Sequence, residues 1–350
     1  MEQEKNVLTQ QDINREKTLP DVAHAFPAIQ NNHALLPSEH ISALPVSSFS
    51  EQVGRVFVRS VTEKKAELPM RNLERSILKL VSVYTVLTKE HLFLYLSAQQ
   101  KPVTKKLLRD MLQALCSYGY LSTYRYSDSQ ELGMLSPVFY APAKRGLSFV
   151  SDASKSPLTI KHEDALFCMD NNQILTLAQL NQWHISMLSH YHVSKKGSIY
   201  RGRVHTSDDT FGYVGSFFYL TRKDISSLKT PSLSIVAIPF PKELKTGHFL
   251  KSEYILERSA FLNEMVTAAA FLSYHKDRLP YSMILLLVDD KESAIFARKL
   301  LDSYADLQDA ELFFLLDYDS MKDPLSSIAQ LSVSYTEQCP FYNFSFLSLL

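Results

Sequence analysis

The chain is short of glycine, cysteine and long apolar runs, and it carries no net charge. Its 350 residues include 9 Gly against 15 Pro, and neither GxGxxG nor a GxxxxGKS/T loop occurs. The tight glycine loops that bring backbone up to a pyrophosphate or a nucleotide are therefore excluded, and no cofactor is expected. Cys116, Cys168 and Cys339 lie far apart and outside any CxxC spacing, which excludes a disulfide framework and a cysteine zinc site. The longest apolar runs, MILLLVDD from Met283 and ELFFLLDYD from Glu311, fall well short of the roughly 20 residues of a membrane span. With no apolar signal core in MEQEKNVLTQ either, the expectation is a cytoplasmic protein without a membrane partner. The 37 Lys and Arg are matched by 37 Asp and Glu, so the chain taken whole is neither a polycation nor an acidic tail protein. At 45% hydrophobic it is globular material with length for two domains.

What is present falls into segments. Residues 1 to 68 mix polar residues with scattered prolines and show no sustained period, as a flexible or weakly ordered arm would. From Met70 the pattern changes. Leu73, Ile77, Leu80, Val81 and Tyr84 recur at helical spacing. Thr88 is placed to cap a second helix that stops before Pro102, and Thr104 to cap a third whose stripe is Leu107, Leu108, Met111, Leu112 and Leu115. Gly119 stands where a left-handed residue ends that helix. LSTYRY (121–126) and PVFYAP (137–142) then predict a hairpin with a long polar tip. Three helices followed by a two-stranded wing is the order of a winged helix-turn-helix. Beyond the polar joint SDASKS (151–156), Leu175, Leu177, Leu180, Trp183 and Met187 predict a helix, and strands follow at 201–206, 211–220 and 232–240. A helix at 254–276, a strand at 283–288, a helix at 291–304 and a strand at 311–316 complete an α/β layer with some parallel pairing. The expected whole is α+β: a winged helix at 70–150, an α/β domain at 157–335 and a tail at 336–350.

Zero net charge hides an uneven distribution. Residues 71–150 carry eleven Lys and Arg against five Asp and Glu, a net +6, whereas 251–350 carry eight against fifteen, a net −7. In the basic segment Lys101, Thr104, Lys105, Lys106 and Arg109 cluster at the start of the third helix, and Arg125, Lys144 and Arg145 flank the hairpin. A winged helix meets double-stranded DNA at these places: the third helix enters the major groove and the wing follows the backbone. Lysine and arginine there neutralise phosphates. The competing reading is a solvated amphipathic helix, or a winged helix that binds protein.

The runs SILKLVSVYTVLTKEHLFLYL, VTKKLLRDMLQALCSYGYLSTYRY and VFYAPAKRGLSFV carry a resemblance. Over about 80 residues the chain resembles the N-terminal winged helix of the replication-relaxation family of plasmid and conjugative-element proteins. The matching positions are Thr88, Leu108 to Leu121 with Gly119, and Tyr140 to Gly146. The resemblance implies binding to mobile-element DNA, with a relaxase or a replication initiator as partner, and transcription regulation as a variant of that role. It also implies that the second domain is a degenerate restriction-endonuclease-like fold that serves homodimer formation or partner contact without catalysis.

A working metal nuclease of that kind needs an acid-x-Lys pair on its third strand, so that carboxylates hold Mg²⁺ at the scissile phosphate. The third strand, LSIVAIPFPKEL, lacks it, and Asp208 and Asp209 ahead of the second strand read as turn residues. A rival metal site uses Asp289, Asp290, Asp317 and Asp319 after two parallel strands and gives a Mg²⁺-dependent nuclease as the alternative function. His184, His190, His192 and His205 read as core or surface residues, and Phe217, Phe218 and Tyr219 as buried alternation more than as a stacking platform.

Overall fold

The computed structural model describes residues 55–57, 68–99, 101–126, 138–153, 171–193, 197–225, 232–241, 244, 251–279, 281–288, 291–307, 312–316, 324–325, 328–331 and 341–343. The architecture is mixed α+β. In chain order the elements are β1 (Arg55–Phe57), α1 (Asn72–Tyr84), β2 (Leu87–Thr88), α2 (Lys89–Ala98), α3 (Lys105–Ser117), β3 (Leu121–Tyr126), β4 (Phe139–Pro142), α4 (Lys144–Ala153) and α5 (Asn171–His190). There follow β5 (Ser198–His205), β6 (Phe211–Thr221), β7 (Ser232–Pro239), α6 (Lys251–Tyr274), β8 (Ser282–Val288), α7 (Lys291–Asp302), a 3-10 turn (Ala305–Leu307), β9 (Leu312–Leu316), β10 (Ala329–Leu331) and β11 (Phe341–Asn343). The described residues up to His192 form one compact unit, and those from Val193 onward form another.

The first unit starts from three short helices, of which α1 and α3 are amphipathic and α2 is covered over most of its surface. In α1, Ile77, Leu78 and Val81 are buried at the three-and-four spacing, and Glu74 accepts a hydrogen bond from the Arg71 amide at 2.8 Å to close the first turn. Thr88 Oγ1 accepts from the His91 amide at 3.3 Å, and the Thr88 amide donates to His91 Nδ1 at 3.2 Å, so a histidine takes the place that Glu holds in most capping boxes. Helix α3 ends with Gly119 at φ 71, and the Tyr120 amide donates to Leu115 O while the Gly119 amide donates to Cys116 O. These two bonds satisfy carbonyls that a helix end otherwise leaves bare, and only glycine takes that φ without strain. Strands β3, β4 and β2 form an antiparallel sheet in that order, to which β1 adds at the β3 edge.

Between α1 and β2 the backbone folds back on itself. Thr85 has φ 69, and the Val86 amide donates to Tyr84 O at 2.8 Å, a γ-turn of the strained hand on a β-branched residue. Helix α5 holds it. Asn181 Nδ2 donates to Tyr84 O at 3.1 Å and to Val86 O at 2.7 Å, and the His184 ring lies 6.0 Å from the Tyr84 ring. Because α5 packs on α2 and supplies these donors, it is part of the first unit, although a boundary drawn at the 151–156 joint assigns it to the second.

The second unit is a sheet in the order β11-β10-β9-β8-β7-β6-β5. Strands β5, β6 and β7 are antiparallel neighbours, and β7, β8 and β9 are parallel, joined through α6 and α7. Every residue of β7 is buried, as its continuous apolar run predicts for a central strand. Val236, Ile238, Ile284, Leu286 and Phe314 pack with Phe261, Met265 and Phe271 of α6 and Ala297 and Leu300 of α7. At roughly 1.5 to 3 kcal/mol for each large side chain removed from water, this cluster is the main source of the unit's stability.

Strands β1 and β11 fall in the segments read as arm and tail, and β10 in the part of the 157–335 domain after its last predicted strand; three residues are too few to show a period. The rest of the 1–68 reading lies outside the described residues except 68 itself. Among the described residues no helix is long and apolar enough to cross a membrane.

Candidate nucleic-acid interface

Helix α3 is two-sided. Leu108, Met111, Leu112 and Leu115 are buried, whereas Thr104, Lys105, Lys106, Leu107, Arg109, Asp110 and Gln113 are exposed. Thr104 spends its hydroxyl as the cap, Oγ1 accepting from the Leu107 amide at 3.1 Å, so it fixes where the helix begins. Lys105 leans toward α2, its Nζ 5.7 Å from the centre of the Phe93 ring. Lys106 has no hydrogen bond or ion pair among the described residues. Arg109 Nε lies 3.5 Å from Asp110 Oδ1, with both side chains more than half exposed, a contact that constrains neither strongly. The outer face thus presents three cations and one carboxylate near the positive end of the helix dipole, where anions are favoured.

The remaining sequence candidates divide. Lys101 Nζ donates to Ser76 Oγ at 2.8 Å, which ties the α2–α3 turn to α1. Arg145 Nη1 donates to Tyr118 O at 3.1 Å and its Cζ sits 4.8 Å from the Tyr120 ring centre, so its charge caps the C-terminal end of α3. Lys144 is exposed at the first turn of α4. Arg125 pairs with Val56 in the sheet, and its side chain lies outside the described residues. The hairpin tip, 127–137, lies outside them too. Periodicity applied to the polar face would have added Asp110 and Gln113, exposed on the same face of α3, to the residues that the sequence singles out.

Helix α4 fits against the hairpin base through Gly146. A Cβ there would come 2.1 Å from Tyr120 O, so only glycine allows this approach. Burial pushes the His91 imidazole down to about 4 and the His184 imidazole down to about 3, so both are neutral inside the unit at pH 7. The Cys116 thiol is pushed up to about 12, also by burial, and is an inert packing group.

In the second unit β7 carries no carboxylate, and Asp208 accepts a hydrogen bond from the Tyr274 hydroxyl while Asp209 is exposed in the same turn. Asp289, Asp290, Asp317 and Asp319 lie outside the described residues. Among the described residues no three His, Cys, Asp or Glu side chains gather as a metal site. The histidines are separate: His184 is buried, His190 Nδ1 lies 2.9 Å from Ser186 O, and His205 stacks on Phe211. Phe217 and Phe218 are buried.

Compared with known proteins, the chain matches no family model, no curated protein and no solved structure.

Proposed function

We propose that the first unit is a winged helix-turn-helix that binds duplex DNA through α3, and that the protein is a non-catalytic accessory or regulatory factor. The observation that carries the reading is the exposed face of α3. Lys105, Lys106 and Arg109 stand free of strong ion pairs on a helix whose other face is locked into the core, and the helix is followed directly by the β3–β4 pair. Its exposed face would enter the groove, with the three cations on phosphates and with Asp110 and Gln113 of the second and third turns facing the bases. The sheet order β3-β4-β2, with β2 between α1 and α2, supports the same fold. The resemblance to the replication-relaxation family over 80 residues supports a mobile-element setting, with a relaxase or initiator as protein partner. In a mobility-shift titration with a plasmid-origin duplex at low salt, the wild type should retard the DNA. The Lys105→Ala, Lys106→Ala, Arg109→Ala variant should require at least tenfold more protein, and full affinity in that variant sinks the assignment.

The second reading is a Mg²⁺-dependent nuclease. The antiparallel run β5, β6, β7 followed by parallel β8 is compatible with a restriction-endonuclease-like core, whereas a β7 without any acid speaks for a degenerate one. Supercoiled plasmid incubated with the protein and Mg²⁺ or Mn²⁺ should stay intact. Metal-dependent nicking that Asp317→Ala abolishes would favour the enzyme.

A further inference from the structure

The β5–β6 hairpin ends in a small aromatic and cationic face. Arg203 stands opposite Tyr213, and His205 opposite Phe211, in one antiparallel register. The intervening pair, Val204 and Gly212, points the other way: Val204 and Val214 belong to the core under α6, and a Cβ on Gly212 would meet Thr267 of that helix. The four side chains therefore share the face away from the helix layer. Phe211 is 46% exposed and Tyr213 69% exposed, whereas Phe217, Phe218, Phe313 and Phe314 of the same sheet are buried. The Arg203 guanidinium carbon lies 3.9 Å from the Phe211 ring centre, and the His205 ring centre lies 4.0 Å from it at 44°.

This geometry leaves particular groups unused. A guanidinium stacked on a ring uses its flat face and keeps its N–H edge outward, free to meet an anion. Among the described residues Arg203 has no ion pair. Of the two exposed turn carboxylates, Asp208 accepts from the Tyr274 hydroxyl, and Asp209 stands beside it. Tyr213 gains little from packing at its exposure and offers an open ring face beside the cation. Among the described residues β5 is the last strand of the sheet, and no described strand walls off that side.

We propose that this hairpin face binds single-stranded nucleic acid, with Tyr213 stacking on an unpaired base and Arg203, seated on the Phe211 ring, holding the neighbouring phosphate. Unpaired bases are the ligand that needs both features: a ring to stack on and a cation one residue-pair away along the backbone. Bases in a duplex are already stacked and offer only their edges. An acidic peptide would satisfy Arg203 and leave the Tyr213 ring without purpose. The proposal stands on the second unit and is independent of α3.

The test is fluorescence anisotropy on the full chain with a fluorescein-labelled oligothymidine of about twenty nucleotides. A strand of equal length without bases and a labelled oligoglutamate peptide serve as companion probes. Tyr213→Ala should weaken oligothymidine binding about tenfold, Tyr213→Trp should keep or raise it, and neither should move the melting temperature, since the side chain is largely in solvent. Arg203→Ala should lower the slope of log affinity against log salt by about 0.7, one phosphate contact on a single strand. The same losses should appear in the Lys105→Ala, Lys106→Ala, Arg109→Ala background, which separates this face from α3. Unchanged oligothymidine affinity in Tyr213→Ala would overturn the proposal. So would base-free strand binding as tight as oligothymidine, or oligoglutamate competing as an equal, which would mark a protein partner instead.

Discussion

The first unit buries two imidazoles and the second half-buries a carboxyl on α6, and these groups respond to acid in opposite directions. His91 and His184 are held neutral by burial, with one ring nitrogen of His91 serving as the acceptor of a helix cap. On α6 of the second unit, burial pushes the Glu264 carboxyl up to about 7. A neutral buried histidine favours folding where the unfolded chain is also neutral, above about pH 6.5, and loses that advantage as pH falls toward its folded value. A half-buried carboxyl with a raised value does the reverse: it favours folding below about 4.5 and costs stability as pH rises through 7. The unit read as facing DNA is thus the acid-sensitive one.

The largest expected effect follows from that contrast. Between pH 7 and pH 4.5 the two histidines together should remove about 5 kcal/mol from the first unit, and Glu264 should add at most about 3 kcal/mol to the second, less for its partial exposure to water, taking about 1.4 kcal/mol for each pH unit of separation. The chain has one tryptophan, Trp183, fully buried in α5, so its fluorescence reports the first unit alone, while calorimetry reports both. The tryptophan transition should move to lower temperature with acid as a second calorimetric transition holds or rises. Parallel shifts of the two would remove the contrast.

Next in size is Asn181→Ala, which takes the amide donor from the buried carbonyls of Tyr84 and Val86 beside a strained turn. A loss of about 3 kcal/mol is expected in denaturant melts followed at Trp183. Gly146→Ala should cost about 2 kcal/mol, because α4 has to shift off Tyr120 O. The same change should leave a transition of the second unit where it is. The smallest effect is that of Asp110→Asn. Its contact to Arg109 is exposed, so the melt should not change measurably. Duplex affinity should rise modestly as the carboxylate on the α3 face is removed.

Much of the first unit was legible because its signals are local. The leucine stripe of α3, the Thr88 and Thr104 caps and the left-handed Gly119 each rest on residues within a turn or two of one another. What was not legible depends on partners distant in sequence. Asn181 finds Val86 O across 95 residues, so nothing near α5 announces that it belongs with α1 and α2. Charge clustering could not tell Lys106, which is free, from Lys101, which reaches Ser76, or from Arg145, which closes the end of α3. Strict alternation along β6 would put Phe211, Tyr213 and Phe217 on one face. The structure separates them, because Val214 and Phe217 both enter the core and the side alternation shifts at Gly215, across from Arg201 with φ 47. A break of that kind involves the partner strand, where Arg201 takes its positive φ, and a period-two reading of β6 alone does not show it.

The most direct measurement is the salt dependence of duplex binding by the full chain. A labelled duplex of about thirty base pairs would be titrated with the wild type and with the Lys105→Ala, Lys106→Ala, Arg109→Ala variant from about 50 to 300 mM salt. If α3 lies on the phosphates, log affinity falls steeply with log salt in the wild type, and the slope of the variant is shallower by close to three contacts, about 2.7. Equal slopes and equal affinities in the two proteins would contradict the assignment of α3 as the DNA-binding face.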